Sequence, residues 1–332
     1  MKVVVVTTSY PRHAEDVRGL FISDAVERIR ARGVEVDVVA PGVFRDFGLA
    51  SGAGVKSNLR RRPWALPGLL GSMAAATRRA ARNADLVHAH WLPCGAVAAA
   101  SGKPFVVTLH GTDMAIAAKA RPLARAVLRR AAGVIAVSEA LATEARALGR
   151  ADVCVVPNGV VIPDDPGKEA EPAEILYAGR LSPEKGVEEL AEAAAGLPLV
   201  FVGDGPLRAR IPSALGFLSR AELHERYRRA AVVACPSRRE GFGVVCAEAM
   251  AYARPVVATA VGGLADLVRH EETGLLVQPG DPCALRAALE RLLDDPELRR
   301  RLGAAGRARV SELCDWDTVT DATLAVYRDA LR

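Results

Sequence analysis

Short apolar runs rich in valine alternate along this chain with stretches whose apolar positions recur every three or four residues. Residues 2–8 read as a buried strand, and residues 20–32 as a helix carrying Leu20, Phe21, Ala25, Val26 and Ile29 on one side before Gly33 ends it. Further strands are predicted over residues 34–40, 85–89, 104–109, 134–137 and 152–156, with helices over 95–100, 122–132 and 139–148. Pro157-Asn158-Gly159 reads as a turn. The pattern then restarts. Strands are predicted over 174–178, 199–202, 231–235, 255–259 and 275–277, and helices over 187–195, 221–230, 264–269, 283–293, 296–313 and 318–331. Regular alternation of this kind predicts an α/β protein built on parallel sheets with helices on both faces. Its expected parts are residues 1–160, a linker over 161–173 with Pro163, Pro166, Pro172 and several acids, residues 174–315, and a closing helical segment over 316–332. KPFVVT (103–108) echoes RPVVAT (254–259), too briefly to establish a repeat. Open α/β sheets bind ligands beyond the carboxyl ends of their strands, so two such domains are expected to hold a ligand in a cleft between them.

Composition narrows the class. With 50% hydrophobic and 25% charged residues the chain is globular and not disordered. Its six cysteines are scattered without a C-x-x-C pair, most of them inside apolar runs, which points to a reducing cytosol with neither a disulfide framework nor a zinc site. The first apolar run is too short for a signal peptide, and no run of about 18 apolar residues is available to span a bilayer. Charge is unevenly distributed: residues 1–157 hold 22 Lys/Arg against 12 Asp/Glu, whereas residues 158–332 hold 22 against 27. The basic excess concentrates in Lys56, Arg60, Arg61, Arg62, Arg78, Arg79 and Arg82, with Trp64, Leu66, Leu69, Leu70 and Met73 among them and no acid between. A second acid-free run, residues 119–130, adds five charges. Such a segment fits an anionic membrane surface; solvated helix faces are the plainer reading. No nucleic-acid motif accompanies it, and aromatic residues are only 5%.

The candidate chemistry gathers at predicted strand ends. In RREGFGVVCAEAMAY, residues 238–252, Glu240 sits on a loop and Glu248 on the helix that begins near Val244, while Gly241 and Gly243 let backbone N–H groups approach an anion. A fully helical path from 240 to 248 would separate the carboxylates by about 12 Å along the axis. That spacing suits two ends of one extended ligand better than an acid/base pair. The plainer alternative makes Glu248 a partner of the helix dipole and Glu240 a solvated loop charge. GRLSPEKG (179–186) places Arg180 and Lys185 beside a predicted helix start, a good diphosphate site or a simple surface turn. GDGPLR (203–208) follows the next strand. His110 ends the 104–109 strand in HGTD, where a lone histidine is more often structural; Gly19 opens the first helix, as an anion contact or merely a helix-starting turn.

Taken together, GRLSPEKG, GDGPLR and EGFGVVCAE, preceded by VVPNGV (155–160), resemble the retaining glycosyltransferases of family 4, over nearly the whole chain. TTSYPR with Gly19, and HAHWLPCG (88–95), look like the acceptor-side half of that family. The resemblance implies a GT-B fold: two doubly wound Rossmann-like domains facing across a cleft, with the last helix crossing back to the N-terminal domain. It implies transfer of a sugar from a nucleoside diphosphate sugar to a hydroxyl with retention and without a metal or other cofactor. Glu240 would hold donor-sugar hydroxyls and Glu248 the ribose, and Arg180 and Lys185 would neutralise the diphosphate. Gly179, Gly203, Gly205, Gly241, Phe242, Gly243, Val244 and Val245 would line the donor, Leu218 the base, His110 the donor sugar and Gly19 the phosphate and acceptor. Asp315-Trp316-Asp317 reads as a helix start and not as a metal motif. The acceptor expected is a sugar, a glycolipid or another hydroxyl compound such as a cell-envelope precursor. The protein is expected in the cytoplasm, on the inner face of the cell membrane, through residues 56–82. A nucleotide-sugar epimerase of the same fold and a non-catalytic sugar-nucleotide sensor are the alternatives. Two departures stand out: a single Gly19 in VRGLF, where the family has a glycine pair, and a rather short chain.

Overall fold

The computed structural model describes residues 1–13, 16–49 and 55–332, apart from the side chains of residues 56, 57, 60, 115 and 116. Two compact units emerge, residues 1–157 with 319–332, and residues 158–318. The first contains β1 (Lys2–Val6), α1 (Leu20–Ala31), β2 (Glu35–Val39), α2 (Val55–Arg61), α3 (Leu66–Ala80), β3 (Leu86–His90) and α4 (Leu92–Ala99). It continues through β4 (Phe105–Leu109), α5 (Thr112–Ala117), α6 (Arg121–Arg130), β5 (Gly133–Ala136), α7 (Glu139–Ala147) and β6 (Cys154–Val155). These strands form one parallel sheet in the order β2-β1-β3-β4-β5-β6. Val3, Val4, Val5 and Val6 are wholly buried, as a strand covered on both faces requires.

The second unit runs through β7 (Ile175–Ala178), α8 (Val187–Ala193), β8 (Leu199–Val202), α9 (Arg220–Arg229), β9 (Val232–Cys235) and α10 (Val244–Ala251). It is completed by β10 (Val256–Thr259), α11 (Gly262–Leu267), β11 (Leu275–Val277), α12 (Pro282–Asp294) and α13 (Pro296–Leu313). Its parallel sheet has the order β11-β10-β9-β7-β8. Counted from its own first strand, that is the order of the first five strands of the first sheet. In both, strand order reverses between the first and third strands, and it is at such a switch point that loops diverge and leave room for a ligand. The KPFVVT and RPVVAT segments form β4 and β10, each the fourth strand of its unit.

The last helix, α14 (Trp316–Ala330), begins in the second unit, and from Val319 onward its residues belong to the first. Fully buried Tyr327 anchors it there.

Two expectations need correction. Residues 66–80, read only as part of a basic surface segment, form α3, and its Leu69 and Met73 are buried in the first unit's core. They are not available to a lipid surface; Trp64 and Leu66 remain exposed, while Lys56 and Arg60 lie outside the described side chains. The helix expected over 95–100 begins earlier, at Leu92, with Pro93 in its first turn. There a proline's missing N–H removes nothing the helix needs.

Candidate functional site

In the second unit, the switch point lies between β7 and β9, and the loops that follow these strands carry the residues singled out by type. Lys185 Nζ donates to Glu240 Oε2 at 2.5 Å across 55 positions of sequence, and Ser237 Oγ donates to the same oxygen at 3.2 Å. Both partners of the pair keep partial solvent access, 30% for the lysine side chain and 19% for the glutamate. Arg180 takes no part in this pair. Its side chain is exposed and forms no ion pair among the described residues, while its carbonyl accepts the Tyr177 hydroxyl at 2.9 Å.

The loops are held by backbone contacts that side chains would obstruct. Gly179 N–H donates to the Val202 carbonyl, Leu181 N–H to that of Asp204, and Leu207 N–H back to that of Leu181. At Gly203, φ is 128° and a Cβ would sit 1.9 Å from the Gly179 oxygen. Gly205 meets the Leu181 carbonyl in the same way, whereas Arg208 is spent on the carbonyls of Ile211 and Pro212. The Glu240 backbone is pinned from β10's side: Gly263 N–H donates to its carbonyl at 3.1 Å, and a Cβ on Gly262 would lie 2.1 Å from that oxygen.

Helix α10 begins at Val244 behind Gly243, whose left-handed conformation (φ 99°) turns the chain and which offers no side-chain cap. The helix therefore presents first-turn N–H groups, at Val244 and Val245, beside Gly241 and buried Phe242. Glu248 comes in the second turn, past the reach of the dipole, so dipole compensation does not explain it. Its Oε2 instead accepts the Tyr227 hydroxyl at 2.9 Å, and Tyr227 stacks on Tyr252 at 5.7 Å. Burial, and then Glu248, push the Tyr227 phenol well above its ordinary range, so it is a donor at any working pH. Leu218 is half-buried between exposed Phe217 and the start of α9, in the loop whose Gly216 carbonyl accepts the N–H of Gly203 at 2.8 Å. Asp315 Oδ2 accepts the N–H of Asp317 at 2.9 Å at the start of α14.

In the first unit, His110 is not the lone residue that HGTD alone implied. His90 Nδ1 and His110 Nε2 are 2.9 Å apart with their rings within 20° of coplanar, and the His88 ring centroid lies 4.4 Å from that of His90. His88 is held at both nitrogens, by the Tyr327 hydroxyl at 2.6 Å and by Thr108 Oγ1 at 2.7 Å. Phe21 and Trp91 close around His110, at 5.2 and 4.9 Å between ring centroids. Trp91 adopts φ 71°, a conformation a tryptophan rarely takes, at the start of α4. Asp113, fully buried, accepts the backbone N–H groups of Leu92 and His110, each at 2.6 Å. Burial pushes its carboxyl up to about 6 and His88 and His110 down to about 3. Gly19 starts α1 in the left-handed conformation, its backbone against that of Ser9.

His88 and His90, quoted within HAHWLPCG but given no role of their own, and Tyr327, Ser237, Tyr227 and Gly262-Gly263 are the residues that reading by motif left unassigned. The H-x-H spacing on β3 was a usable signal, because alternate residues of a strand point to one face and the register sets His90 beside Thr108, two residues before His110.

The first half, residues 19–162, matches the family model described as Glycosyltransferase Family 4, and residues 161–309 match Glycosyl transferases group 1. A D-inositol 3-phosphate glycosyltransferase of Acidothermus cellulolyticus is 32% identical over 95% of this chain and 86% of its own length. The chain belongs to glycosyltransferase family 4. This family-4 glycosyltransferase is also 32% identical to a glycogen synthase of Mycobacterium tuberculosis, over 75% of its own chain and 69% of the relative. Its fold is that of Anabaena HepE, solved in complex with UDP-glucose, with a TM-score of 0.76 at 24% identity over 99% of this chain and 100% of that one. The two parallel sheets are thus those of a GT-B enzyme.

Proposed function

We propose that this glycosyltransferase moves a sugar from a nucleoside diphosphate sugar to an acceptor hydroxyl with retention of configuration. The observation that carries the reading is the Lys185–Glu240 pair at the switch point of the second sheet, beside the uncapped start of α10. Lys185, Arg180 and the first-turn N–H groups of α10 are assigned to the diphosphate, where they stabilise the charge that grows as the glycosidic bond breaks. Glu240 is assigned to donor-sugar hydroxyls and Glu248, oriented by Tyr227, to the ribose. In this scheme the bond from the anomeric carbon to the phosphate oxygen breaks, and the acceptor oxygen bonds to that carbon from the same face. The departing phosphate oxygen takes the acceptor proton. No metal is needed because Lys185 and Arg180 provide the positive charge. His110 in the first unit is assigned to the donor sugar.

UDP is the nucleotide to test first, because HepE was crystallised with UDP-glucose. The acceptor is assigned as an anionic or lipid-linked hydroxyl compound, reached by peripheral attachment to the inner face of the membrane. That assignment is supported by the basic excess of the first unit and by exposed Trp64 and Leu66. Among the described residues no helix is long and apolar enough to cross a membrane.

The test is sugar release from UDP-, GDP- and ADP-glucose by the wild type and Glu240→Ala, in EDTA, with the product's anomeric configuration read by proton NMR. The expected result is EDTA-resistant transfer from one nucleotide class, an α product from an α donor, and a loss of about 100-fold or more in the variant. Inversion or EDTA-sensitivity would overturn the mechanism, and nucleotide release without a glycosylated product would favour an isomerase.

A further inference from the structure

The hydrogen bond between His90 Nδ1 and His110 Nε2, 2.9 Å long, contains one proton when both rings are neutral. Burial keeps both rings neutral near pH 7, since it lowers the basicity of each. The proton's owner decides the character of the other nitrogen of His110. If His90 donates, the His110 proton must sit on Nδ1; if His110 donates, Nδ1 is a bare lone pair. His110 Nδ1 is buried and has no partner among the described residues. A buried donor left unmatched is rarer in folded proteins than an under-used acceptor. The second arrangement also moves the His90 proton to its Nε2, which is not among the buried atoms lacking partners. His88 cannot disturb the choice, being engaged at both nitrogens by Tyr327 and Thr108.

We infer that His90 is a positioning residue: its Nδ1 accepts the Nε2–H of His110 and holds that ring in the tautomer whose bare Nδ1 accepts a hydrogen bond from a donor-sugar hydroxyl. The sugar's part in this rests on the function proposed above; the tautomer does not. The two rings lie within 20° of coplanar, as an in-plane N–H···N bond requires; flanking by Phe21 and Trp91 fixes the ring's orientation, and the carboxylate of Asp113 fixes its backbone. Only the tautomer is then left to be set, and His90 sets it.

The experiment is nitrogen-15 NMR of the full chain with labelled imidazoles, ligand-free, the His110 signals being assigned by their loss in His110→Gln. Wild type is expected to show His110 Nδ1 unprotonated and Nε2 protonated. In His90→Asn the amide oxygen replaces Nδ1 as acceptor, so the tautomer is retained and most of the turnover recovered. In His90→Leu the acceptor is gone; the His110 signals move toward a tautomer mixture and kcat drops about tenfold with the acceptor KM little changed. A protonated Nδ1 in wild type overturns the inference, as does a His90→Leu protein with unaltered His110 signals and kcat. If His90→Leu does not fold, the wild-type and His90→Asn spectra decide. If the wild type turns over no sugar nucleotide, the functional reading fails while the spectra still judge the tautomer.

Discussion

Lys185 and Glu240 were legible as candidates from residue type, because a lysine by a helix start and a glutamate in a glycine-rich loop are a phosphate and a hydroxyl ligand in waiting. Their meeting was not legible, since 55 residues and two strands intervene and only the sheet order brings the loops side by side. The same holds for Ser237, whose role depends on where the Glu240 carboxylate ends up. Glycines were named for letting the backbone approach a ligand, whereas at Gly203 the close approach is to another loop, with φ 128° and the Gly179 carbonyl in the space a Cβ would take. Gly203→Ala is expected to destabilise the protein by about 3 kcal/mol, through both strain and displacement of that carbonyl. Urea denaturation reads this directly, and a midpoint equal to wild type would show that the two loops do not meet as described.

At the scale of elements, strands and long amphipathic helices were predicted within a few residues, whereas α3 went unrecognised. Pro67, Gly68 and Gly71 obscure its period, because glycine and proline argue against a helix until packing against α4 and β2 is known. Its burial of Leu69 and Met73 leaves Trp64, 74% exposed, as the apolar tip of the basic surface, next to exposed Arg61 and Arg62. Sedimentation with anionic vesicles is expected to exceed that with neutral ones and to weaken about tenfold or more when Arg61 and Arg62 both become Glu. Equal sedimentation with both lipids would remove the membrane assignment. The ends of β3 and β4 carry a second prediction. His88 and His110 have folded pKa values lowered by burial from 6.5 to about 3, and that of His90 lies well below 6.5. The stability these rings contribute is therefore present above 6.5 and lost as pH falls toward 3. Asp113, raised from 3.8 to about 6, works the other way, its contribution being complete below 3.8 and lost as pH rises through 6. Three depressed histidines outweigh one raised carboxyl, so Tm is expected to fall between pH 7 and pH 5, on the order of 5 °C. A Tm that is level or rises over that interval would contradict the burial of the trio.

For the whole molecule, alternating strands and helices announced two α/β units, and their shared strand order puts a switch point at the matching place in each. The charge asymmetry between the halves is visible in composition, and its meaning depends on which faces are exposed. The return of α14 to the first unit follows from the family resemblance, and residues 319–332 do belong there; that its Tyr327 bonds His88 was not legible, because the partner of one side chain on an amphipathic helix is set by packing. What family membership leaves open is whether this chain's own loops bind and activate a sugar nucleotide. Steady-state turnover of UDP-, GDP- and ADP-glucose in EDTA, by wild type, Lys185→Ala and Glu240→Ala, decides it. The account predicts that one nucleotide class is consumed by wild type and that each variant, folded and of similar Tm, loses about 100-fold or more in kcat/KM. Absence of turnover and binding with all three nucleotides, or variants as active as wild type, would contradict it.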